Sequence, residues 1–181
     1  MVKKHAVPSI EVLNKLLSYD RVTGILTWKE RSLDQCSSKG SMSRWNKVYA
    51  NRPAGCSQEK GLRVRVAGIS MMANRICWVM AGNEPLPVEI HVDHIDRDQF
   101  NNRPGNLRPA TSSQNAMNSK TRADSVSGLR GVKKTAATRN WGARIVVNGK
   151  RISLGSFPTK GTAAVAYAKA AIRYHGQFAR F

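Results

Sequence analysis

The stretch HVDHIDRDQFNNRPGNLRPATSSQN, residues 91–115, carries the pattern that decides the fold. Together with the three residues before it, its first part reads VEIHVDHI, which alternates apolar and polar side chains and predicts a strand ending near His94. Turn-forming residues fill the next part. Thr111 is a good N-cap, so a helix is expected to begin there and to carry Asn115 in its early turns. The stretch therefore predicts a strand, a long loop and a helix.

The polar side chains of this stretch indicate a site for metal-assisted chemistry. Asp93 on the strand and Asn115 on the helix flank the loop, and we expect their oxygens to converge on one hard cation. Carboxylate and amide oxygens suit Mg²⁺ or Mn²⁺, which also accept phosphate oxygens. His94, beside Asp93, is then able to take a proton from water. The alternative for His94 is a hydrogen-bonded structural histidine, and the roles of His91 and Asp96 stay open.

The fragments DHID, NNR, NLR and QNAMN, at this spacing, resemble the HNH nuclease family of phage and intron-associated homing endonucleases. The resemblance implies a ββα-metal fold and a site-specific DNA endonuclease that hydrolyses phosphodiester bonds with one divalent cation, Mg²⁺ or Mn²⁺. Carried over to this chain, it implies that Asp93 and Asn115 are the metal ligands and that His94 is the general base. It also implies that Asn106 ties the loop together and holds the imidazole in orientation.

The residues before this stretch predict two helices and two hairpins. SIEVLNKLLSY carries a helical apolar stripe after the candidate N-cap Ser9, and ANRICWVMAG is predicted to be a helix that closes at Gly82. RVTGILTW predicts a tight hairpin, and GLRVRVAGISMMA predicts a second one with its turn at Ala67 and Gly68. The Ser-rich segment 34–47 is expected to be irregular.

Two upstream features bear on the resemblance. The segment LLSYDRVTGILTWKER, residues 16–31, resembles the leader that often precedes this nuclease in phage proteins. Many relatives carry a histidine before the arginine of NRICW, whereas Asn74 stands there in this chain. This departure leaves the structural role of that histidine open, and the candidate residues around His94 are unaffected by it.

The C-terminal third is the most basic part of the chain. From Lys120 to Phe181 there are 13 Lys or Arg residues and one acidic residue, Asp124. RGVKK, WGARIVV and KRISLGSF predict three strands, the last two joined by a type I′ turn at residues 148–149. The alanine-rich segment that follows predicts a helix on the apolar side of this sheet. We expect that helix to pack through one stripe: Ala164, Val165, Ala168, Ala171 and Ile172.

These strands and the alanine-rich helix resemble the Apetala-two or ethylene-responsive DNA-binding domain through RGV, WGARI and LGSF. The sequence departs from that family at two contact positions, Val146 and Ser153, so the family's target sequence is not transferred. The alternative is a solvated basic face without sequence preference. The resemblance implies that the sheet reads DNA through four basic side chains: Arg130, Lys133, Arg144 and Arg151.

Composition limits the partners and the compartment. The formal net charge of +19 and the pI near 10.7 favour a polyanion, nucleic acid before an anionic membrane surface. A run of about 18 apolar residues and the apolar core of a signal peptide are both missing from the sequence, so the cytoplasm is the expected location, that of a bacterial host if the chain is phage-encoded. Cys36, Cys56 and Cys77 show no paired spacing and are expected to be reduced thiols.

Together these patterns predict an α+β protein. Residues 1–119 are expected to form a ββα-metal nuclease domain with a helix and hairpin leader, 120–127 a linker, and 128–181 a three-stranded antiparallel sheet packed on one helix. The expected partner is double-stranded DNA, without a small-molecule cofactor or a membrane. The alternative to a nuclease is a non-catalytic DNA-binding regulator on a nuclease-like scaffold. The target site, nicking against double-strand cleavage, and the oligomeric state are left open by the sequence.

Overall fold

The computed structural model describes residues 6–58, 61–119, 126–135 and 139–181. Over these residues the protein is a mixed α+β structure with five α-helices and antiparallel sheets. Contacts group the chain into two compact units, Met1–Pro109 and Ala110–Phe181. Most of the predicted linker, 120–127, lies outside the described residues, and the predicted domain limits stay a prediction.

The first unit begins with a helix and a hairpin, but the hairpin starts four residues earlier than predicted, because residues 17–19 of the predicted helix belong to its first strand. Helix α1 (Ile10–Leu16) starts at Ser9, whose hydroxyl accepts a backbone N–H of the first turn. Strands β1 (Leu17–Asp20) and β2 (Ile25–Trp28) pair antiparallel. Gly24 ends the turn between them with a φ of +78°, in the left-handed region that glycine adopts at little cost.

Helix α2 (Lys39–Tyr49) occupies most of the Ser-rich segment, so the prediction of an irregular segment there was wrong. Ser38 caps the helix by accepting a backbone N–H from its first turn. Trp45 on the helix packs edge-on against Trp28 of β2, with 5.7 Å between the ring centroids. A contact between residues this distant in sequence stabilises the helix, and the local composition does not reveal it.

A three-stranded antiparallel sheet follows, in the order β3 (Cys56–Gln58), β4 (Gly61–Val66) and β5 (Ile69–Met72). Ala67 and Gly68 form the turn between β4 and β5, both with positive φ, which confirms the second predicted hairpin. Strand β3 was not predicted.

Helix α3 (Ala73–Met80) follows β5 and confirms the second predicted helix. It packs on α1 and on β4, and these elements enclose the apolar core of the first unit. The largest fully buried members of this core are Leu13, Leu17, Leu26, Val64, Val66 and Ile76.

The aspartate- and histidine-rich stretch contains two strands and a helix. Strand β6 (His91–His94) is shorter than predicted, because residues 88–90 lie in a turn. Strand β7 (Leu107–Ala110) pairs with β6 and lies within the segment predicted to be a loop. Helix α4 (Ser112–Asn118) begins at Thr111 as predicted, in a capping box in which the threonine hydroxyl accepts a backbone N–H. The order along the chain is strand, strand, helix.

The second unit contains the three strands and the helix that the basic C-terminal third predicts. Strands β8 (Val132–Lys134), β9 (Trp141–Val147) and β10 (Lys150–Phe157) form an antiparallel sheet with β9 in the centre. Both residues of the 148–149 turn have positive φ, as a type I′ turn requires. Helix α5 (Lys160–His175) packs on the sheet.

The packed face of α5 differs from the predicted stripe. Val165 and Ile172 are 55% and 60% exposed, although the prediction placed both against the sheet. The prediction followed the large aliphatic side chains, whereas the helix turns its one buried aromatic residue inward. The buried residues of α5 are Ala163, Tyr167, Ala170, Ala171 and His175.

Cys36, Cys56 and Cys77 are free thiols, as predicted, and burial raises the pKa of Cys77 to about 12. Within the ranges described, no helix is both long enough and apolar enough to cross a membrane. The described residues also form three short 3-10 helices, at Leu33–Gln35, Pro104–Asn106 and Gly176–Phe178.

Candidate active site

Helix α3 fixes the backbone of β6. The side-chain amide of Asn74 donates to the carbonyl of Val92 across 2.7 Å. The guanidinium of Arg75 donates to the carbonyls of Ile90 and Leu86, both at 2.6 Å. Asn74, which stands where many relatives are expected to carry a histidine, therefore holds the strand that bears His94.

His94 lies at the end of β6 and is 8% exposed. Its Nε2 is 3.0 Å from the side-chain oxygen of Asn102. An amide oxygen only accepts hydrogen bonds, so this contact favours the tautomer in which Nε2 carries the proton and Nδ1 has the basic lone pair. This contact holds the ring through Nε2, and in that tautomer Nδ1 has the chemistry of a proton acceptor.

Asn102 is the residue of this site that the sequence reasoning missed. Its side chain is 2% exposed, and its backbone carbonyl accepts the hydroxyl of Tyr19 across 2.5 Å. Its backbone N–H donates to the carbonyl of Phe100 across 3.0 Å. The doubled asparagine at residues 101–102 was the signal in the sequence, but only the fold shows that the second one turns toward the imidazole.

Asn106 joins the two ends of the loop between β6 and β7. Its amide nitrogen donates to the carboxylate of Asp96 across 2.9 Å and to the carbonyl of Asn101 across 2.7 Å. Its amide oxygen accepts the N–H of Asp96 across 3.0 Å, and its backbone carbonyl accepts the N–H of Ile95 across 2.9 Å. These contacts agree with the predicted role of tying the loop, while the side-chain amide bonded to the imidazole belongs to Asn102.

Asp96 is the acceptor around which this loop is organised. Burial alone raises the pKa of its carboxyl, but the N–H of Asp98 and the side-chain amides of Asn106 and Asn101 donate to it. Together these hydrogen bonds hold the pKa of Asp96 below its ordinary value. The carboxylate therefore acts in this structure as a loop cap.

Asp93 forms a buried ion pair with Arg108 of β7. Nε of Arg108 donates to Oδ2 of Asp93 across 3.0 Å, and Nη2 lies 2.9 Å from the same oxygen. Both side chains are less than a tenth exposed. The pair links β6 to β7 next to His94, and the sequence reasoning gave Arg108 no such partner.

Asn115 lies half-buried on α4, in the second compact unit, so its partnership with Asp93 stays a prediction. No group of three His, Cys, Asp or Glu side chains that could hold a metal ion is found in the part of the chain that the structure describes. The predicted ligand set, one carboxylate and one side-chain amide, does not require such a group.

Comparisons with known proteins bear directly on this site. A model of the HNH endonuclease family matches residues 72–117, a range that contains Asp93, His94, Asn106 and Asn115. Over 101 residues the chain is 34% identical to protein 3.8 of Escherichia phage T7. The aligned residues make up 56% of this chain and 83% of the phage protein. The chain belongs to the HNH endonuclease family.

A second relative of this HNH protein comes from Acanthamoeba polyphaga mimivirus and is named an uncharacterized HNH endonuclease. The two are 35% identical over 109 residues, 60% of this chain. The aligned part spans only 56% of the mimivirus protein's length. No solved structure matches the chain.

The second unit of the HNH protein carries an open basic groove on its sheet, with a volume of about 480 Å³. Lys133, Arg144 and Arg151, three of the four side chains predicted to bind DNA, line this groove. The guanidinium of Arg130, the fourth, donates to two backbone carbonyls at the C-terminal end of α4. Arg130 therefore holds α4 in this structure, and its predicted contact with DNA stays a prediction.

Proposed function

We propose that this HNH protein is a metal-dependent DNA endonuclease of the homing type, which hydrolyses phosphodiester bonds and cuts one or both strands. The observation that carries the proposal is the environment of His94. The imidazole is buried beside Asp93 and bonded through Nε2 within a loop that Asn106 closes, inside the range that matches the family. A ring held in this way presents its basic nitrogen in a fixed direction.

The roles of the chain's own residues follow from these contacts. His94 takes a proton from the attacking water. Asn106 keeps the loop closed and thereby keeps the imidazole in position. Asp93 and Asn115 would hold the divalent cation. A bound cation supplies positive charge where negative charge develops on the phosphoryl and departing oxygens. The expected product ends are a 5′-phosphate and a 3′-hydroxyl.

The donor chemistry suits Mg²⁺ or Mn²⁺, because both ions prefer carboxylate and amide oxygens and keep several waters. Two nitrogens of the Arg108 guanidinium, Nε and Nη2, contact Oδ2 of Asp93. In this proposal the one aspartate serves both the guanidinium and the cation, since a carboxylate has two oxygens. The ion pair then orients Asp93 through Oδ2.

The basic groove of the second unit is the proposed contact with double-stranded DNA. Lys133, Arg144 and Arg151 bring three positive charges to one face of the sheet, and a chain of net charge +19 favours a polyanion. In this proposal the groove positions the nuclease unit on a long target.

A DNA-binding regulator without catalysis is the second candidate, and one observation favours it. Arg108 already neutralises Asp93, the only carboxylate in the proposed ligand pair. If that ion pair excludes a cation, the protein binds DNA and leaves it intact.

Cleavage of supercoiled plasmid with Mg²⁺ or Mn²⁺ tests the proposal. Wild-type protein is expected to nick or linearise the plasmid, and His94→Ala to slow cutting by about 10²- to 10⁴-fold. Glu89→Ala, which alters an exposed residue just before β6, is the matched control and should cut at the wild-type rate. A gel-shift assay should show that all three proteins bind DNA equally. Unchanged cutting by His94→Ala contradicts the proposed base, and binding without cutting by wild type supports the regulator.

A further inference from the structure

The hairpin of β1 and β2 lies against the loop that carries Asn102. The hydroxyl of Tyr19 on β1 donates to the backbone carbonyl of Asn102 across 2.5 Å. Nε of Arg103 donates to the carbonyl of Val22, in the hairpin turn, across 2.6 Å. Two hydrogen bonds between segments about eighty residues apart thus join the N-terminal hairpin to this loop.

Gly24 allows this close approach. A Cβ atom at this position would lie 2.7 Å from the backbone nitrogen of Arg103 and 2.8 Å from the carbonyl carbon of Asn102. Backbone atoms cannot rotate away as the end of a side chain does, so any larger residue pushes the hairpin and the loop apart. At Gly24 the hairpin therefore lies directly against the backbone of residues 102–103.

The loop needs such a support, because residues 95–100 are exposed and Asn102 is its buried anchor. Asn102 contacts the hairpin through its backbone and His94 through its side chain. A displacement of the hairpin surface therefore moves the Asn102 amide oxygen, which is bonded to the imidazole. Burial raises the pKa of Tyr19, so its hydroxyl keeps its proton and remains a donor.

We propose that the hairpin of β1 and β2 is a positioning element of the nuclease site, in which Tyr19 and Gly24 set the place of Asn102, and Asn102 sets the orientation of the His94 imidazole. Tyr19, Gly24 and Asn102 are positioning residues, since they act through His94. The inference rests on the proposed function, because it assigns His94 the role of base. It gives the leader segment 16–31 a physical task within the first unit.

The side-chain steps are tested with variants of the full chain. Asn102→Leu removes the acceptor at similar size and should lower kcat for plasmid cleavage by about 10- to 100-fold, with little change in KM. Asn102→Asp keeps an acceptor oxygen and should recover part of that activity. Tyr19→Phe removes one hydrogen bond and should lower kcat by about 2- to 10-fold. Tyr49→Phe, at a half-exposed tyrosine of α2, is the control and should have no effect.

The fit of the hairpin is tested with two glycines in matched conformations. Gly24 and Gly68 both end hairpin turns of the first unit, with φ of +78° and +80°. A Cβ at Gly68 meets nothing within 4 Å, so Gly68→Ala carries the backbone strain without the collision. Gly24→Ala should cut at least about tenfold more slowly than Gly68→Ala, because displacement of a catalytic group by about 1 Å costs on the order of 10²-fold. Equal rates contradict the inference.

Nitrogen NMR of histidine-labelled full-length protein separates this inference from the proposed function. In wild type the His94 ring is expected to carry its proton on Nε2, and Tyr19→Phe and Asn102→Leu should shift its signals while Tyr49→Phe leaves them in place. Unmoved His94 signals in Asn102→Leu overturn the positioning role whether or not the protein cuts DNA. If the signals move but His94→Ala cuts normally, the proposed base is wrong and the hairpin contact with His94 stands.

Discussion

Arg108 donates from Nε to Oδ2 of Asp93 across 3.0 Å, and both side chains are buried. Removing one partner of a buried ion pair leaves the other charge without compensation, which typically destabilises a protein by about 3–5 kcal/mol. We expect Arg108→Leu to lower the free energy of unfolding of the first unit by an amount of this order. Chemical denaturation followed by tryptophan fluorescence measures it, since Trp28, Trp45 and Trp78 all lie in that unit.

The double variant Asp93→Leu with Arg108→Leu supplies the control. With both charges removed, it should be more stable than Arg108→Leu alone, because no uncompensated charge remains. A double variant that is less stable than either single one would show that Asp93 and Arg108 contribute independently.

Asp96 gives the loop a defined pH dependence. Because its pKa is held below the ordinary value of 3.8, its carboxylate contributes stability that is present above that value and is lost as the pH falls through the lowered pKa. Asp96→Asn should therefore flatten the fall in stability of the first unit below pH 3.8, measured by urea unfolding across the acid range. An acid limb identical to that of wild type would mean that the donors from Asp98, Asn101 and Asn106 leave the carboxylate's pKa unperturbed.

The sequence was informative wherever structure is decided by neighbouring residues. The turn at Ala67 and Gly68 and the helix start at Thr111 each depend on a local backbone conformation or cap, and both are present as predicted. Helix α2 was missed because its supports are distant. Besides the ring contact of Trp45, the side chain of Asn46 bonds to both backbone groups of Arg31 at 2.9 Å.

In the candidate site, too, the sequence indicated the local features but not the contacts between distant residues. The family resemblance implied that Asn106 ties the loop together, and in the structure its side-chain amide bonds to Asp96 and to the carbonyl of Asn101. The partner of the imidazole was not predictable, because Asn101 and Asn102 are identical in type and adjacent. In the structure it is Asn102 that turns inward, where the hydroxyl of Tyr19 bonds to its carbonyl.

Gly131 should be indispensable to the second unit. A Cβ there would lie 2.2 Å from a ring carbon of the buried Tyr167, at a φ of +68°. Gly149 has a φ of +76° but meets nothing within 4 Å, so it is the matched control. We expect Gly149→Ala to cost about 1 kcal/mol and Gly131→Ala about 2–4 kcal/mol, since overpacking adds to the strain. Thermal unfolding measures the difference, and equal destabilisation would mean that the packing around Tyr167 relaxes freely.

The basic groove predicts a salt dependence of DNA binding. Arg144→Ala with Arg151→Ala should weaken binding and flatten its dependence on salt by about 0.9 in logarithmic slope for each phosphate that the sheet no longer neutralises. Lys160→Ala with Lys169→Ala removes the same charge from α5, which packs on the other side of the sheet. Titrations by fluorescence anisotropy at several salt concentrations should show the larger change for the groove pair. Equal slopes for the two pairs would remove the sheet from the DNA interface.

We propose that Asp93 and Asn115 hold one divalent cation, and binding of Mn²⁺ to the full chain tests this most directly. Calorimetry with and without duplex DNA measures it. We expect one ion per chain, and we expect Asp93→Ala and Asn115→Ala each to weaken its binding by at least about tenfold. Loss of a residue that only supports a metal ligand already weakens binding by about that much, and loss of a ligand should weaken it at least as strongly. Glu84→Ala, which removes an exposed acidic residue elsewhere in the first unit, should bind Mn²⁺ as wild type does. Wild-type affinity in either Asp93→Ala or Asn115→Ala would contradict the shared site.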